Sequence, residues 1–251
     1  KVDSGMHRVG VSPEDAVKVA KLVAESQWLS LEGIFTHLAT ADVVDIQFAQ
    51  QQVSTFSRCV EQVRASGIEV RHVHISNSAS AIRKLDAGAG CTMARVGIAM
   101  YGIPGDARSN SFGAPHQLDL RPVMSIHARV SHVQRVAAGQ GVSYGLKRLI
   151  EHDSTVATLP LGYADGIPRG IWESGSVLVH GTRRAFAGVV TMDQTLVNCA
   201  DDEVSIGDEA VLIGAQGTEL ITANEWANKM GTIGYEIVCA ISARMPRNYI
   251  N

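Results

Sequence analysis

Four short segments that read as strands in the first half of the chain each hand over to side chains that chemistry uses. Lys1-Val2-Asp3 leads to Met6 and Arg8, and Gly33-Ile34-Phe35-Thr36 ends at His37. The third run ends at His74-Ile75-Ser76-Asn77-Ser78, and the fourth enters Arg95-Val96-Gly97-Ile98. In a parallel α/β fold, function collects at the C-terminal ends of strands, so these loops could converge an arginine, two imidazoles and a Ser/Gly-rich cradle. Asn77-Ser78 opens a helix whose free N–H groups suit a phosphate. Gly97 lets backbone come close to an anion. Each residue alone has a plainer role: a lone strand-end His is more often a hydrogen-bonded structural group. Asn77-Ser78 alone is a helix cap, and Arg95 alone is a surface ion pair. Their recurrence at successive strand ends is the signal.

Three sites stand out in the second half. Gly141-Val142-Ser143-Tyr144-Gly145 and Leu159-Pro160-Leu161-Gly162-Tyr163-Ala164-Asp165-Gly166 are turns presenting a Tyr, and Thr191-Met192-Asp193-Gln194 follows an apolar run. A phenol has an unperturbed pKa of about 10, so one of these could serve as a base only beside a cation.

The elements that must position these groups change character along the chain. Ser12-Pro13-Glu14-Asp15 reads as a helix start. Apolar residues from Ile46 to Val63 step by three and four, which predicts a second helix, ended by Gly67. Val70–Ile75 and Met93–Val96 read as strands and Ser78–Leu85 as a short helix, giving four βα units and a parallel sheet. After about Pro115, short strands are expected at Met124–Val133, Thr155–Leu161, Val177–His180, Ala187–Val190, Thr195–Cys199 and Ala210–Ile213, with one clear helix at Thr222–Met230. That half reads as an antiparallel β-domain. The expected domains are therefore 1–115 and 116–251. Four βα units cannot close a barrel of eight, and an open remnant would expose an edge. An N-terminal part or a partner is expected to supply the rest.

Of 251 residues, 45% are hydrophobic and 19% charged, with a net charge of −3, which allows a real core and argues against disorder. No basic block invites nucleic acid, and no apolar run approaches the roughly 20 residues that span a bilayer. Cys59, Cys91, Cys199 and Cys239 are far apart and form no CxxC, so they read as reduced thiols of a cytoplasmic protein, and no metal is expected. The N-terminus has no initiator Met and no signal-peptide pattern, so the chain is expected to begin inside its gene.

In order, these motifs resemble those of alanine racemase, a pyridoxal 5'-phosphate (PLP) enzyme of fold type III. Lys1-Val2-Asp3-Ser4-Gly5-Met6-His7-Arg8-Val9-Gly10 is similar to K-x-D-[ST]-G-M-x-R-x-G. Thr36-His37-Leu38-Ala39-Thr40-Ala41-Asp42 is similar to T-H-[FL]-A-x-A-D, and His74 to Ala79 to H-x-x-N-S-A. Arg95 to Gly102 resembles R-x-G-I-x-x-Y-G, and the Tyr144, Tyr163 and Met192 motifs follow in the family's order.

The resemblance implies an α/β fold: the second half of a (β/α)8 TIM-type barrel followed by a mainly antiparallel β-domain. It also implies roles. Ser78, Gly97 and Ile98 would hold the PLP phosphate, and Asn77 would be a further cofactor-binding residue. Arg95 would face the pyridine nitrogen and, because Arg does not give up its proton, keep that nitrogen unprotonated. The weakened electron sink would limit side reactions such as transamination. His74 would support Arg95, and His37 would lie beside the cofactor and the catalytic Tyr. Arg8 would bind the ring hydroxyl and the substrate carboxylate, oriented by Lys1 as a carbamate. Tyr144 would be one of two bases, one per face of the substrate, acting in the other subunit of a homodimer. The Met192 backbone would contact the carboxylate, and Tyr163, Arg169 and Asp193 would line or support the access path.

The second base in the family is the PLP lysine, in an A-V-x-K-A-x-A-Y-G-H-G stretch. None of Lys1, Lys18, Lys21, Lys84, Lys147 and Lys229 has that context. The chain is therefore expected to be a piece that is inactive alone. Two further departures sit at the substrate gate: Ala243 and Val189 stand where some members have Tyr and Arg. The implied activity is racemisation of L-alanine to D-alanine, for peptidoglycan or alanine catabolism. The alternatives are a serine or broad-specificity racemase and a non-catalytic PLP-binding module. A decarboxylase on a similar barrel is weaker, since it would place an acid rather than Arg95 at the ring nitrogen.

Overall fold

The computed structural model describes residues 1–104 and 118–250. The chain divides into two compact units, Lys1–Arg121 and Pro122–Asn251. The junction expected at 115/116 lies outside the described residues.

The first unit is built on parallel pairing. The segment expected as a first strand is reduced to one parallel bridge, Val2 with Val11. Val2 N–H nevertheless bonds Phe35 O at 2.8 Å, which lays the N-terminus beside the next strand. α1 (Ala16–Ala24) starts three residues after Pro13. Asp15 N–H bonds both the carbonyl and Oγ of Ser12 at 3.2 Å, so the capping serine closes a tight turn first. β1 (Gly33–Phe35) is followed by α2 (Gln47–Ala65), whose buried face includes Ala49, Phe56, Val60 and Val63. β2 (His72–His74) pairs parallel to β1, with Phe35 opposite His74. α3 (Ser78–Arg83) opens at an Asn77 cap whose side chain accepts Ser80 N–H at 2.9 Å. The expected strand at Met93–Val96 forms no ladder. It is held beside β2 by Thr92 N–H to Val73 O and Arg95 N–H to Ser76 O, both 2.9 Å.

The second unit is antiparallel. The single strand expected over Met124–Val133 is two: β3 (Ile126–Arg129) and β4 (His132–Val136). The break has a cause, because the chain changes partners there. Val130 N–H bonds Asp208 O and Ser131 N–H bonds Thr158 O. β5 (Gly141–Val142) and β6 (Arg148–Leu149) form a small hairpin. β7 (Ser154–Leu159) lies between β4 and the later β10. Then follow β8 (Ser176–Val179), β9 (Thr182–Ala185), β10 (Thr195–Asn198), β11 (Glu209–Gln216) and β12 (Glu219–Ile221). The larger sheet runs β12-β11-β8-β9, with β3 also on β11.

Residues 187–190, expected as a strand, are buried but form none. A Cβ on Gly188 would sit 2.5 Å from Val142 O, so the segment passes too close to β5 for a regular ladder. α4 (Ala223–Met230) starts where Thr222 Oγ1 accepts Glu225 N–H at 3.0 Å and stops at left-handed Gly231. α5 (Gly234–Ala240) was not expected; seven residues are too short to show a helical period. Trp226 of α4 is fully buried and meets Phe186 edge-on at 6.4 Å, anchoring the helix on the sheet.

Candidate active site

The chemistry of the first unit is gathered around Arg95. Its guanidinium donates to His74 Nδ1 at 2.6 Å, Thr36 O at 2.9 Å, Ile75 O at 3.1 Å and His37 Nδ1 at 3.2 Å. Its face lies 5.2 Å from the Phe35 ring, and Phe35 stacks on His74 at 4.8 Å. Arginine has donors and no acceptor, so both imidazoles must present a bare Nδ1 and carry their proton on Nε2. The electrostatics agree. Burial, then Arg95 and His72, hold the His74 pKa below its ordinary value. Burial, then Arg95, Arg8 and Lys1, do the same for His37. Burial also lowers the Arg95 pKa. Among the described residues Arg95 Nε has no hydrogen-bond partner.

The second part of this site is the cradle. Ser78 Oγ accepts Gly97 N–H at 3.0 Å and Ala99 N–H at 3.3 Å, drawing the start of α3 onto the turn Ile98–Tyr101. A Cβ on Gly97 would meet nothing within 4 Å, so the backbone faces open space there. Ser78, Gly97 and Ile98 are thus brought together as expected, while the Asn77 side chain is occupied as the cap of α3. Lys1 and Arg8 lie near enough to His37 to depress its pKa. Neither side chain forms a hydrogen bond or ion pair among the described residues.

Sequence reasoning missed two groups that hold this site. Thr36, fully buried, donates to Val2 O at 2.9 Å and shares a 2.7 Å hydrogen bond with Ser4. Gln52, also buried, accepts Ala39 N–H at 2.8 Å and donates to His37 O at 3.1 Å, pinning the loop that carries His37. Gln52 had a signal: it lies between Ala49 and Phe56 on the apolar face of α2, where a polar residue needs a partner.

In the second unit the Tyr144 turn is a strained hairpin tip. Ser143, Gly145 and Leu146 have φ of 66°, 74° and 46°, all left-handed. Two of them carry a Cβ, each at a cost of about 1–3 kcal/mol, which the surroundings must enforce. Ser143 Oγ donates to Val189 O at 2.7 Å, and Gly141 packs so tightly on Leu146 that a Cβ would sit 2.6 Å from its Cβ. Tyr144 is left 70% exposed, on an open cleft of about 900 Å³ that Gln134, Arg135, Thr191 and Gln194 also line.

The Tyr163 and Met192 turns are welded together. Tyr163 N–H bonds Thr191 O at 2.9 Å and Ala164 N–H bonds Met192 O at 3.0 Å. A Cβ on Gly162 would lie 2.1 Å from Thr191 O, so only glycine allows this approach. Within the Met192 turn, Thr191 N–H and Oγ1 both bond Gln194 O, which leaves the Met192 and Asp193 N–H groups at the tip without partners among the described residues. Arg244, missed in the sequence, bonds Asp193 at 2.7 Å and pairs with buried Asp165 at 3.4 Å. These contacts, Asp193 first, raise its pKa. Tyr163 and Arg169 line a second cavity of about 670 Å³ with Glu236 and Cys239. Among the described residues no group of three or more His, Cys, Asp or Glu could hold a metal ion, and no helix is long and apolar enough to cross a membrane.

A parallel α/β unit carrying a Ser78–Gly97 turn beside a half-buried Arg95, with an antiparallel β-unit after it, narrows the class of protein. Residues 1–104 match the family model "Alanine racemase, N-terminal domain" and residues 123–249 match "Alanine racemase, C-terminal domain". The alanine racemase of Halothermothrix orenii is 40% identical over 254 residues, covering all of this chain and 65% of that protein. Among solved structures, the alanine racemase of Bacillus anthracis with bound L-Ala-P is 37% identical with a TM-score of 0.89, over 99% of this chain and 63% of that one. The enzyme of D-cycloserine-producing Streptomyces lavendulae is 35% identical with a TM-score of 0.90, over 99% and 65%. The chain belongs to the alanine racemase family, and its fold is that family's barrel portion followed by its β-domain. It spans 62–66% of the length of the first three curated relatives.

Proposed function

We propose that the protein of which this chain is a part interconverts L- and D-alanine with PLP, in the cytoplasm, as a homodimer, supplying D-alanine for peptidoglycan or alanine breakdown. The observation that carries this is Arg95, fixed by neutral His37 and His74 beside the Ser78–Gly97 cradle, with Nε unpartnered among the described residues. The residues present fit PLP: the cradle suits its phosphate and Arg95 Nε suits a ring-nitrogen acceptor. PLP held there would supply an electron sink that eases loss of the substrate's Cα proton. Arg95 would donate to the ring nitrogen without protonating it, which would restrain that sink. Arg8, and Lys1 as a carbamate, position the ring hydroxyl and carboxylate. The Met192 N–H takes the carboxylate too, with Tyr163, Arg169 and Asp193 along the access path.

Tyr144 moves the Cα proton on one face, acting in the neighbouring subunit's site; its exposed phenol on a rigid tip suits a group that must reach outward. The opposite face needs a second base, and the reading assigns it to a lysine outside this sequence. Ala243, exposed where some members have Tyr, favours a second reading in which a wider gate admits serine as well as alanine, whereas Val189 is fully buried and lines no opening.

The test follows Cα deuterium uptake from D2O, and enantiomer interconversion, with alanine and serine in the full-length protein. Tyr144→Phe is expected to abolish exchange from one enantiomer while leaving partial exchange from the other. Equal loss from both enantiomers contradicts the assignment of one face to Tyr144. Serine turnover unchanged by Ala243→Tyr contradicts the wider gate.

A further inference from the structure

The tip of the Met192 turn poses an electrostatic problem. Its free N–H groups suit a carboxylate, yet Asp193, a carboxylate itself, sits on that tip and is 57% exposed at its side chain. An incoming anion would meet both attraction and repulsion. Arg244 lies where the two can be reconciled. One NH2 group holds Asp193 Oδ1 at 2.7 Å, while Nε faces Asp165 Oδ1 at 3.4 Å. Asp165 is buried and its other oxygen accepts Gly162 N–H at 2.9 Å. Its carbonyl accepts Ser242 N–H at 3.0 Å, and Ser242 Oγ accepts Arg244 N–H at 3.0 Å. The guanidinium is therefore held from below by buried Asp165 and shares its charge with Asp193, the one acid at the tip and its shorter contact.

We propose that Arg244 is a positioning residue for substrate binding: it neutralises Asp193 and turns its side chain aside, so that the Met192 tip attracts a carboxylate. This rests on the reading that the Met192 N–H takes the substrate carboxylate. The role is electrostatic and differs from a mere clamp in one respect. If Arg244 acts by screening Asp193, deleting the acid relieves the need for the base. If it acts only by tying loops together, deleting both is at least as damaging as deleting one.

The probe is propionate, which keeps the carboxylate of alanine and lacks its amino group, measured as a competitive inhibitor of the full-length racemase alongside KM, kcat and Tm. Arg244→Gln is expected to raise the propionate Ki and the alanine KM about five-fold, the scale of a half-exposed charge effect in water, with kcat moving less than KM. Arg244→Lys recovers part of the loss. The double variant Asp193→Asn/Arg244→Gln returns Ki towards wild type. An unchanged Ki in Arg244→Gln, or a double variant as weak as the single, overturns the proposal. A drop in kcat that tracks Tm and leaves KM alone also overturns it. Active wild-type enzyme that propionate does not inhibit overturns the carboxylate reading of the tip and this inference with it. Wild-type protein with no racemase activity overturns the functional reading first.

Discussion

A guanidinium has five N–H bonds to place and no lone pair to offer, and at Arg95 that asymmetry decides the state of its neighbours. Both His37 and His74 turn Nδ1 towards it, so protonating either ring would set two cations against each other. This gives a pH dependence with a definite sign. The folded-state pKa of each imidazole lies below the ordinary value of 6.5. In that window the unfolded chain binds more protons, so stability is fully present above about pH 6.5 and is lost as pH falls through the lowered folded values. Thermal unfolding followed from pH 8 to pH 5 should show Tm falling below about 6.5, and His74→Gln should make the fall shallower. A flat profile contradicts the neutral-imidazole account. Much of this site was legible in sequence, because His37, His74, Ser78 and Gly97 sit at strand ends or beside a helix start. Arg244 was not, because its partners Asp193 and Asp165 are 51 and 79 residues away and no local pattern joins them.

At the level of elements, close backbone approach matters more than propensity. Gly162 lets the Tyr163 turn lie on the Met192 turn with two backbone hydrogen bonds between them. In Gly162→Ala the new methyl would meet the Thr191 carbonyl at 2.1 Å, and a backbone atom cannot swing away. The expected cost is about 1–3 kcal/mol. Gly170→Ala would press only on the flexible end of Met230 at 3.0 Å and should be near neutral. A Tm for Gly162→Ala equal to that of Gly170→Ala contradicts this packing. The same logic explains where strand assignment from sequence erred. Residues 187–190 are apolar enough for a strand, but Gly188 is pressed against Val142 and the ladder is lost. The Met124–Val133 run splits because its two halves pair with β11 and β7 respectively. Neither effect leaves a mark on local periodicity. α2 was legible because 19 residues span five turns with one buried face.

Across the whole molecule, the change from alternating βα pattern to short strands marked two units, and the structure divides at Arg121/Pro122. The chain matches relatives half as long again, and the chemistry assigned to it needs a lysine whose motif none of its own six lysines carries. That makes the attachment point of PLP the most direct test. The full-length protein, loaded with PLP and reduced with borohydride, should yield a single labelled peptide on mapping. The account predicts a label on a lysine outside residues 1–251. A label on Lys1, Lys18, Lys21, Lys84, Lys147 or Lys229, or no label at all, would contradict the two-base racemase.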